Sequence, residues 1–139
     1  MKIAMSYPLS EIEGLSEADA ARLKYVGIRT AAALLEAART PRGRRELAAR
    51  TGIAEKQFLD WANAANFLRI KGVGRAKTEL LRAAGVTTVR ELAFRNPQKL
   101  AEALDAANKE RQLVSRKFTP AGVQAMIEQA KHLPTTINY

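Results

Sequence analysis

The segment LRIKGVGRAK, residues 68–77, decides the fold of this chain. It places Ile70 before a Gly-Val-Gly turn, and Ala76 follows two residues after the second glycine. Glycine permits a sharp turn and leaves the neighbouring backbone N–H groups unshielded by side chains. If a helix begins directly after the turn, these groups lie at its N-terminus, where the helix dipole favours an anion. The segment therefore predicts two helices joined by a tight turn that can hold a phosphate.

A second copy of this pattern lies 58 residues earlier, and the two copies align without a gap. The aligned pairs are glycines and apolar residues: Ile12/Ile70, Gly14/Gly72, Leu23/Leu81, Gly27/Gly85, Ile28/Val86 and Leu34/Leu92. Later in each copy the shift becomes 65 residues, and the polar stretch 108–112 is predicted to be a lengthened loop that absorbs the difference. We predict a single globular domain over residues 1–139, with internal repeats at about 10–68 and 69–133.

Each repeat is predicted to contain four short helices. Gly27 and Gly85 follow the last apolar residue of a helical stripe, where a left-handed residue ends a helix. Capping residues, some followed by proline, mark the helix starts at Thr30, Thr88, Thr40-Pro41, Asn96-Pro97 and Thr119-Pro120. The fourth helices are predicted at about 54–68 and 120–133. No stretch alternates with period two, so the predicted fold class is all-α, a compact bundle of short helices.

The repeat also predicts how the chain closes. Helix 54–68 precedes the second turn, but residues 1–11 are too short to place a helix before the first. The equivalent helix, 120–133, is therefore predicted to pack before the first turn. The chain would then close on itself with pseudo-twofold symmetry.

The turn at 70–74 and its flanking helices resemble the helix–hairpin–helix family, which binds the nucleic-acid backbone without reading bases. The resemblance implies that the repeats are pseudo-symmetric and that each contains one such motif. It implies a phosphate site at the second turn, carried by Lys71, Gly72, Val73, Gly74, Arg75 and Lys77. Phosphate contacts of this kind position a protein without specifying sequence.

The first turn departs from the pattern in its charges. Glu13 stands where the second copy has Lys71, Glu17 where it has Arg75, and Asp19 where it has Lys77. Three cations have become three anions, which would repel a phosphate. The sequence therefore predicts a single phosphate site, at residues 72–77.

Over nearly its full length the chain also resembles a bacterial family of unknown function built from two such repeats. The matching stretches are Ile12-Glu13-Gly14, Gly27-Ile28-Arg29-Thr30, Thr40-Pro41-Arg42-Gly43-Arg44, Leu47-Ala48, Thr51-Gly52-Ile53, Trp61-Ala62-Asn63, Leu68-Arg69-Ile70-Lys71-Gly72-Val73-Gly74, Ala83-Ala84-Gly85-Val86, Arg95-Asn96-Pro97 and Gln129-Ala130-Lys131. That family normally has Asp where Asn66 stands. The resemblance implies the fold and carries no activity over to this chain.

Charge and composition narrow the function classes. Lys and Arg number 23 against 14 Asp and Glu, a net charge of +9 that favours a polyanionic partner. The chain has no cysteine and one histidine, which excludes disulfides, thiolate sites and a multi-histidine metal site. No apolar run is long enough to span a membrane, and the N-terminal apolar stretch is too short for a secretory signal. The expected compartment is the cytoplasm.

No catalytic constellation is visible, so we expect a protein without catalytic residues, metal or cofactor. The leading hypothesis is sequence-independent binding of nucleic acid, with double-stranded DNA favoured through the family resemblance. The alternative is a protein-interaction or self-association module that keeps the fold without binding nucleic acid. Two further basic groups are expected to be solvated surface, with a nucleic-acid surface as their alternative: Arg39, Arg42, Arg44, Arg45 and Arg50, and Arg111, Arg116 and Lys117. Trp61 is predicted to lie in the core.

Overall fold

The computed structural model of the protein describes residues 7–139, and within that range it is all-α. The bounds of its elements are a short 3-10 helix at Leu9–Glu11, then α1 (Glu17–Tyr25), α2 (Ala31–Ala38), α3 (Pro41–Thr51), α4 (Glu55–Phe67), α5 (Arg75–Ala83), α6 (Val89–Ala93), α7 (Pro97–Arg111) and α8 (Pro120–His132). The predicted fold class is therefore confirmed. The N-terminal residues considered for a secretory signal lie outside the described range, except Tyr7 and Pro8.

The predicted helix starts are observed as side-chain caps. At each start a hydroxyl or amide oxygen accepts a hydrogen bond from the backbone N–H three residues later, which satisfies one of the donors that a helix leaves unpaired. The capping residues are Thr30, Thr40, Thr88, Asn96 and Thr119. The predicted glycine ends also hold, since φ is 90° at Gly27 and 91° at Gly85.

The buried side chains form two clusters, one in each half of the chain. The first is built mainly by α1 to α4 and the second by α5 to α8. Helix α4 connects them, because Phe58 and Trp61 pack in the first cluster while Phe67, at its C-terminal end, packs in the second. The chain passes directly from Phe67 into the second glycine turn. This turn is thus anchored to the helix that both cores share.

The predicted closure of the chain on itself is wrong. Helix α8 packs against α6 and α7, and its buried residues belong to the second core. The preceding helix that packs on the first turn is instead α4, whose Trp61 Nε1 donates to the carbonyl of Gly14 over 3.3 Å. The apolar side chains of α8 are buried in the core of its own half of the chain, so they are not available to pack against the first turn.

The lengthened loop begins later than predicted. The polar residues up to Arg111 continue α7, because lysine, glutamate and arginine are good helix formers and their polarity reflects solvent exposure rather than irregular backbone. The helix ends at Gln112, where φ is 52°. Beyond it, Asn108 Oδ1 accepts hydrogen bonds from the amides of Leu113 and Val114, over 2.8 and 3.0 Å. The inserted loop therefore spans residues 112–119 and is fastened at its start.

After α8 the chain returns to the first half. Ile137 is buried in the first core, and the amide of Asn138 donates to the carbonyl of Arg39 over 2.7 Å. The Tyr139 hydroxyl donates to Asn63 Oδ1 over 2.7 Å, and burial raises the pKa of this tyrosine above its ordinary value. We call residues 133–139 the C-terminal strap. It ties the second half of the chain to the first.

Among the described residues, no helix has the length and apolar character needed to cross a bilayer.

Candidate functional site

The second glycine turn holds its apolar residues inward and its glycine outward. Ile70 and Val73 are buried in the second core, and the amide of Val73 donates to the carbonyl of Ile70 over 3.0 Å. Between them Gly72 is exposed and has a φ of 86°, a conformation that side chains rarely adopt. The turn is therefore rigid, and its outer edge faces solvent.

Helix α5 begins at this turn without a side-chain cap. Gly74 is its N-cap residue and has no side chain to offer. Within residues 7–139, no group accepts a hydrogen bond from the amides of Arg75, Ala76 or Lys77. At the equivalent place in the first half, Ser16 Oγ accepts from the amide of Asp19 over 3.1 Å. The exchange of serine for glycine thus leaves the start of α5 open to an external acceptor.

Two backbone donors of the turn are used internally. The amide of Lys71 donates to Gln129 Oε1 of α8 over 2.8 Å, and that of Val73 is bonded within the turn. Gln129 therefore fixes the turn against α8. The amides of Gly72 and Gly74 have no acceptor among residues 7–139, so they are left for a ligand together with those of the first helical residues, 75–77.

The cations near the turn surround a small cavity. Lys71, Lys77, Arg116 and Lys117 line a space of about 260 Å³ between Gly72 and the beginning of α8. No carboxylate lines it. The inserted loop 112–119 thus brings two cations to the two that the motif itself supplies. The sequence alone predicts Arg116 and Lys117 to be solvated surface, and no local pattern connects them with the turn.

Arg75 is directed away from the turn. Its Nη1 donates to the carbonyls of Ser10 and Ile12, each over 2.7 Å, and approaches that of Leu15 at 3.5 Å. The guanidinium therefore joins the first turn to the start of α5. Of the six residues predicted for the site, Arg75 has a backbone amide without an acceptor within residues 7–139, while its side chain links the two halves of the chain.

We expect Arg75→Ala to destabilise the fold by about 1–2 kcal/mol, because it removes the donor shared by carbonyls of the first turn. Urea unfolding followed by circular dichroism measures this difference. Arg29→Ala is the matched control, since Arg29 is exposed and its loss should change stability by less than about 0.5 kcal/mol. Equal stability of the two variants would contradict the linking role.

The acidic residues of the first turn also face the second half. Glu13 Oε1 lies 3.3 Å from Arg82 Nη1 of α5, and both side chains are largely buried. Glu11 Oε1 lies 3.7 Å from the position that a Cβ atom on Gly74 would occupy. Of the three anions that distinguish the first turn, Glu13 thus pairs with a cation of the second half. The Glu11 carboxylate lies near the open start of α5.

The arginines of α3 and its flanks serve mainly structural contacts. Arg44 is buried, and it donates to the carbonyls of Ala38 and Asn138 over 2.9 and 2.8 Å. Arg39 and Arg42 pair with glutamates of their own helices. The prediction that Arg44 is solvated surface is therefore wrong, because its guanidinium is buried against backbone carbonyls of two distant segments.

Asn66 lies close behind the second turn. It is buried, and its Oδ1 accepts from Arg69 Nη1 over 3.1 Å. Burial lowers the pKa of Arg69 from its ordinary value. In the part of the chain that the structure describes, no three His, Cys, Asp or Glu residues stand together in a metal-binding group.

Comparison with known proteins gives one match. The model of a family described as "Domain of unknown function (DUF4332)" matches residues 13–133, a range that contains both turns and all eight α-helices. No curated protein and no solved structure matches the chain.

Proposed function

The chain belongs to the DUF4332 family, and from this premise we propose that it binds the nucleic-acid backbone at the second turn without catalysing a reaction. In this proposal both turns belong to helix–hairpin–helix-like motifs, and the second one is the binding motif. Double-stranded DNA is the proposed ligand. The protein would bind it without sequence preference, because contacts to phosphate carry no sequence information.

The observation that carries the proposal is the uncapped start of α5 beside a cluster of lysines. Three consecutive amides, of residues 75–77, have no acceptor within residues 7–139, and Lys71 and Lys77 belong to the same turn and helix start. Backbone donors and the helix dipole favour an anion at this position. In the first half, a serine caps the start of the helix and acidic residues replace the nearby cations, so that turn does not favour an anion.

The proposed contact divides the work between backbone and side chains. The amides of Arg75, Ala76 and Lys77 hold the oxygens of one phosphate, and the exposed edge at Gly72 allows close approach of the sugar-phosphate chain. Lys71 and Lys77 supply charge to that phosphate. Arg116 and Lys117 extend the cationic surface toward a neighbouring phosphate of the same strand.

We expect weak binding of a short DNA duplex with a strong dependence on salt. About two to four phosphate contacts, at roughly −0.9 each, predict a slope of about −2 to −4 for log affinity against log salt concentration. Fluorescence anisotropy of a labelled duplex over a series of KCl concentrations measures this slope. Duplexes of different sequence should give the same affinity.

The alternative remains a module that binds a protein or a second copy of itself. A complete absence of duplex binding at low salt, together with a stable oligomer in sedimentation analysis, would favour this alternative and remove the proposal. Binding that depends strongly on base sequence would also contradict it, since the site offers no group aimed at base edges.

A further inference from the structure

A larger cavity lies away from the second turn, beneath the C-terminal strap. Its volume is about 820 Å³, and it is enclosed by α6, the end of α8 and residues 133–139. Cavities of roughly 300–1,000 Å³ are those in which proteins bind small molecules. None of the six residues predicted for the phosphate site lines it. The cavity is therefore a separate feature of the fold.

The walls of the cavity are partly apolar and partly polar. Val89 and Ala93 of α6, Leu133 after α8 and Ile137 of the strap contribute aliphatic surface. Phe94 stands at its edge with 80% of its surface exposed, which is a large exposure for an aromatic side chain. An occupant with an apolar body would cover this ring and the aliphatic wall together.

The charged side chains that line the cavity are all cationic. They are Arg90, Arg95 and Lys131, and no Asp or Glu side chain lines it. Lys131 pairs with Glu128 over 3.4 Å, and Arg95 donates to the carbonyl of Gly85. Arg90 is exposed, and no residue in the range 7–139 forms a salt bridge with it.

Glu91, the acid of α6, does not line the cavity, although its charge acts on Arg95 and Tyr139, which do. Its Oε1 accepts hydrogen bonds from the amide and the hydroxyl of Thr87, over 2.8 and 3.0 Å. The hydrogen bond from the Thr87 backbone amide is the main cause that lowers the pKa of Glu91. Its carboxylate is thus engaged at the start of α6 and does not line the cavity.

We propose that this cavity binds a small organic anion: a carboxylate or sulfonate attached to an apolar body. The acid group pairs with Arg90 at the rim, and the body lies against Phe94 and the aliphatic wall. Inorganic phosphate would leave the apolar wall uncovered, so charge alone does not give affinity here. The site is independent of nucleic-acid binding and stands whether or not the second turn binds DNA.

The test is a fluorescence titration of the full chain with 1-anilinonaphthalene-8-sulfonate, an aromatic sulfonate of the proposed class. We expect saturable binding of one probe per chain. Arg90→Glu should weaken it roughly threefold to tenfold, the effect of one partly exposed ion pair replaced by repulsion. Phe94→Ala should weaken it by a similar factor. Both positions are exposed, so neither change should unfold the chain.

Lys99→Glu is the matched control, because Lys99 is exposed, lines neither cavity and gives the same change in net charge. It should leave the probe affinity within about twofold of the original. Decanoate should displace the probe, and equal concentrations of inorganic phosphate should not. The proposal is overturned if no saturable binding occurs, or if Arg90→Glu and Lys99→Glu bind the probe equally well.

Discussion

Replacing Lys71 and Lys77 together by glutamate is expected to lower the affinity for a DNA duplex about 100-fold at low salt. A hydrogen-bonded contact between charged groups contributes roughly 1.5–3 kcal/mol, and each factor of ten in affinity corresponds to about 1.4 kcal/mol. Both lysines line the cavity beside the start of α5. The salt slope should fall by about 2 as well, because two phosphate contacts are lost.

The matched control is the double variant Arg29→Glu, Lys99→Glu, which changes the net charge by the same amount at exposed positions outside both cavities. It should retain most of the affinity. Arg75 is left intact in both variants, since its guanidinium bonds to the first turn and its loss would confuse binding with stability. Equal loss of affinity in the two double variants would show that net charge, and not the second turn, attracts the duplex.

Trp61→Ala is expected to give the largest loss of stability, about 3–5 kcal/mol. The indole is 1% exposed and packs edge-to-face against Phe58, with ring centroids 5.4 Å apart. Its Nε1 also donates to the carbonyl of Gly14, so the substitution removes core volume and a contact with the first turn. Urea unfolding followed by circular dichroism measures the change in the free energy of unfolding.

Tyr25→Ala provides the comparison for this variant. Tyr25 is 92% exposed at the end of α1, so its removal should change stability by no more than about 0.5 kcal/mol. If Trp61→Ala costs less than about 1 kcal/mol, the packing of α4 against the first turn is not a main source of stability. Confirmation would identify α4 as the element that supports both turns.

Sequence reasoning succeeded where the determining interactions are local. A threonine or asparagine cap, a proline after it and a glycine at the helix end act within one turn of backbone, so Thr40, Asn96 and Thr119 could be located before the structure was known. The burial of Trp61 followed from its helical spacing with Phe58. The polar residues 108–111, in contrast, predict a loop, but they form the solvated last turn of α7.

Interactions between distant residues could not be predicted in the same way. Arg44 bonds to Asn138 across 94 positions of sequence, and Arg75 bonds to Ser10 across 65. Nothing in the composition near either arginine distinguishes it from its solvated neighbours. The return of the C-terminal strap to the first core has no periodic or motif signal either. Its burial in the first core rests on one apolar residue, Ile137.

The candidate site combines residues that local sequence signals predict with residues that only long-range packing brings there. The glycine turn and its lysines are contiguous in sequence, and they were predicted from the motif. Gln129 and the inserted loop come from far along the chain, and only the packing of α8 beside the turn brings them there. A signal was nevertheless present: the extra residues of the second repeat are rich in basic side chains, and they directly precede the helix that packs on the second turn.

The C-terminal strap has a consequence for the order of events during synthesis. The first core includes Ile137, so α1 to α4 leave the ribosome and begin to pack together before this residue of their core has been synthesised. Contacts between residues so far apart in sequence form slowly, because a long chain must be closed first. The nascent first half is therefore expected to stay partly open to chaperones and proteases until residues 136–139 have been translated and have docked.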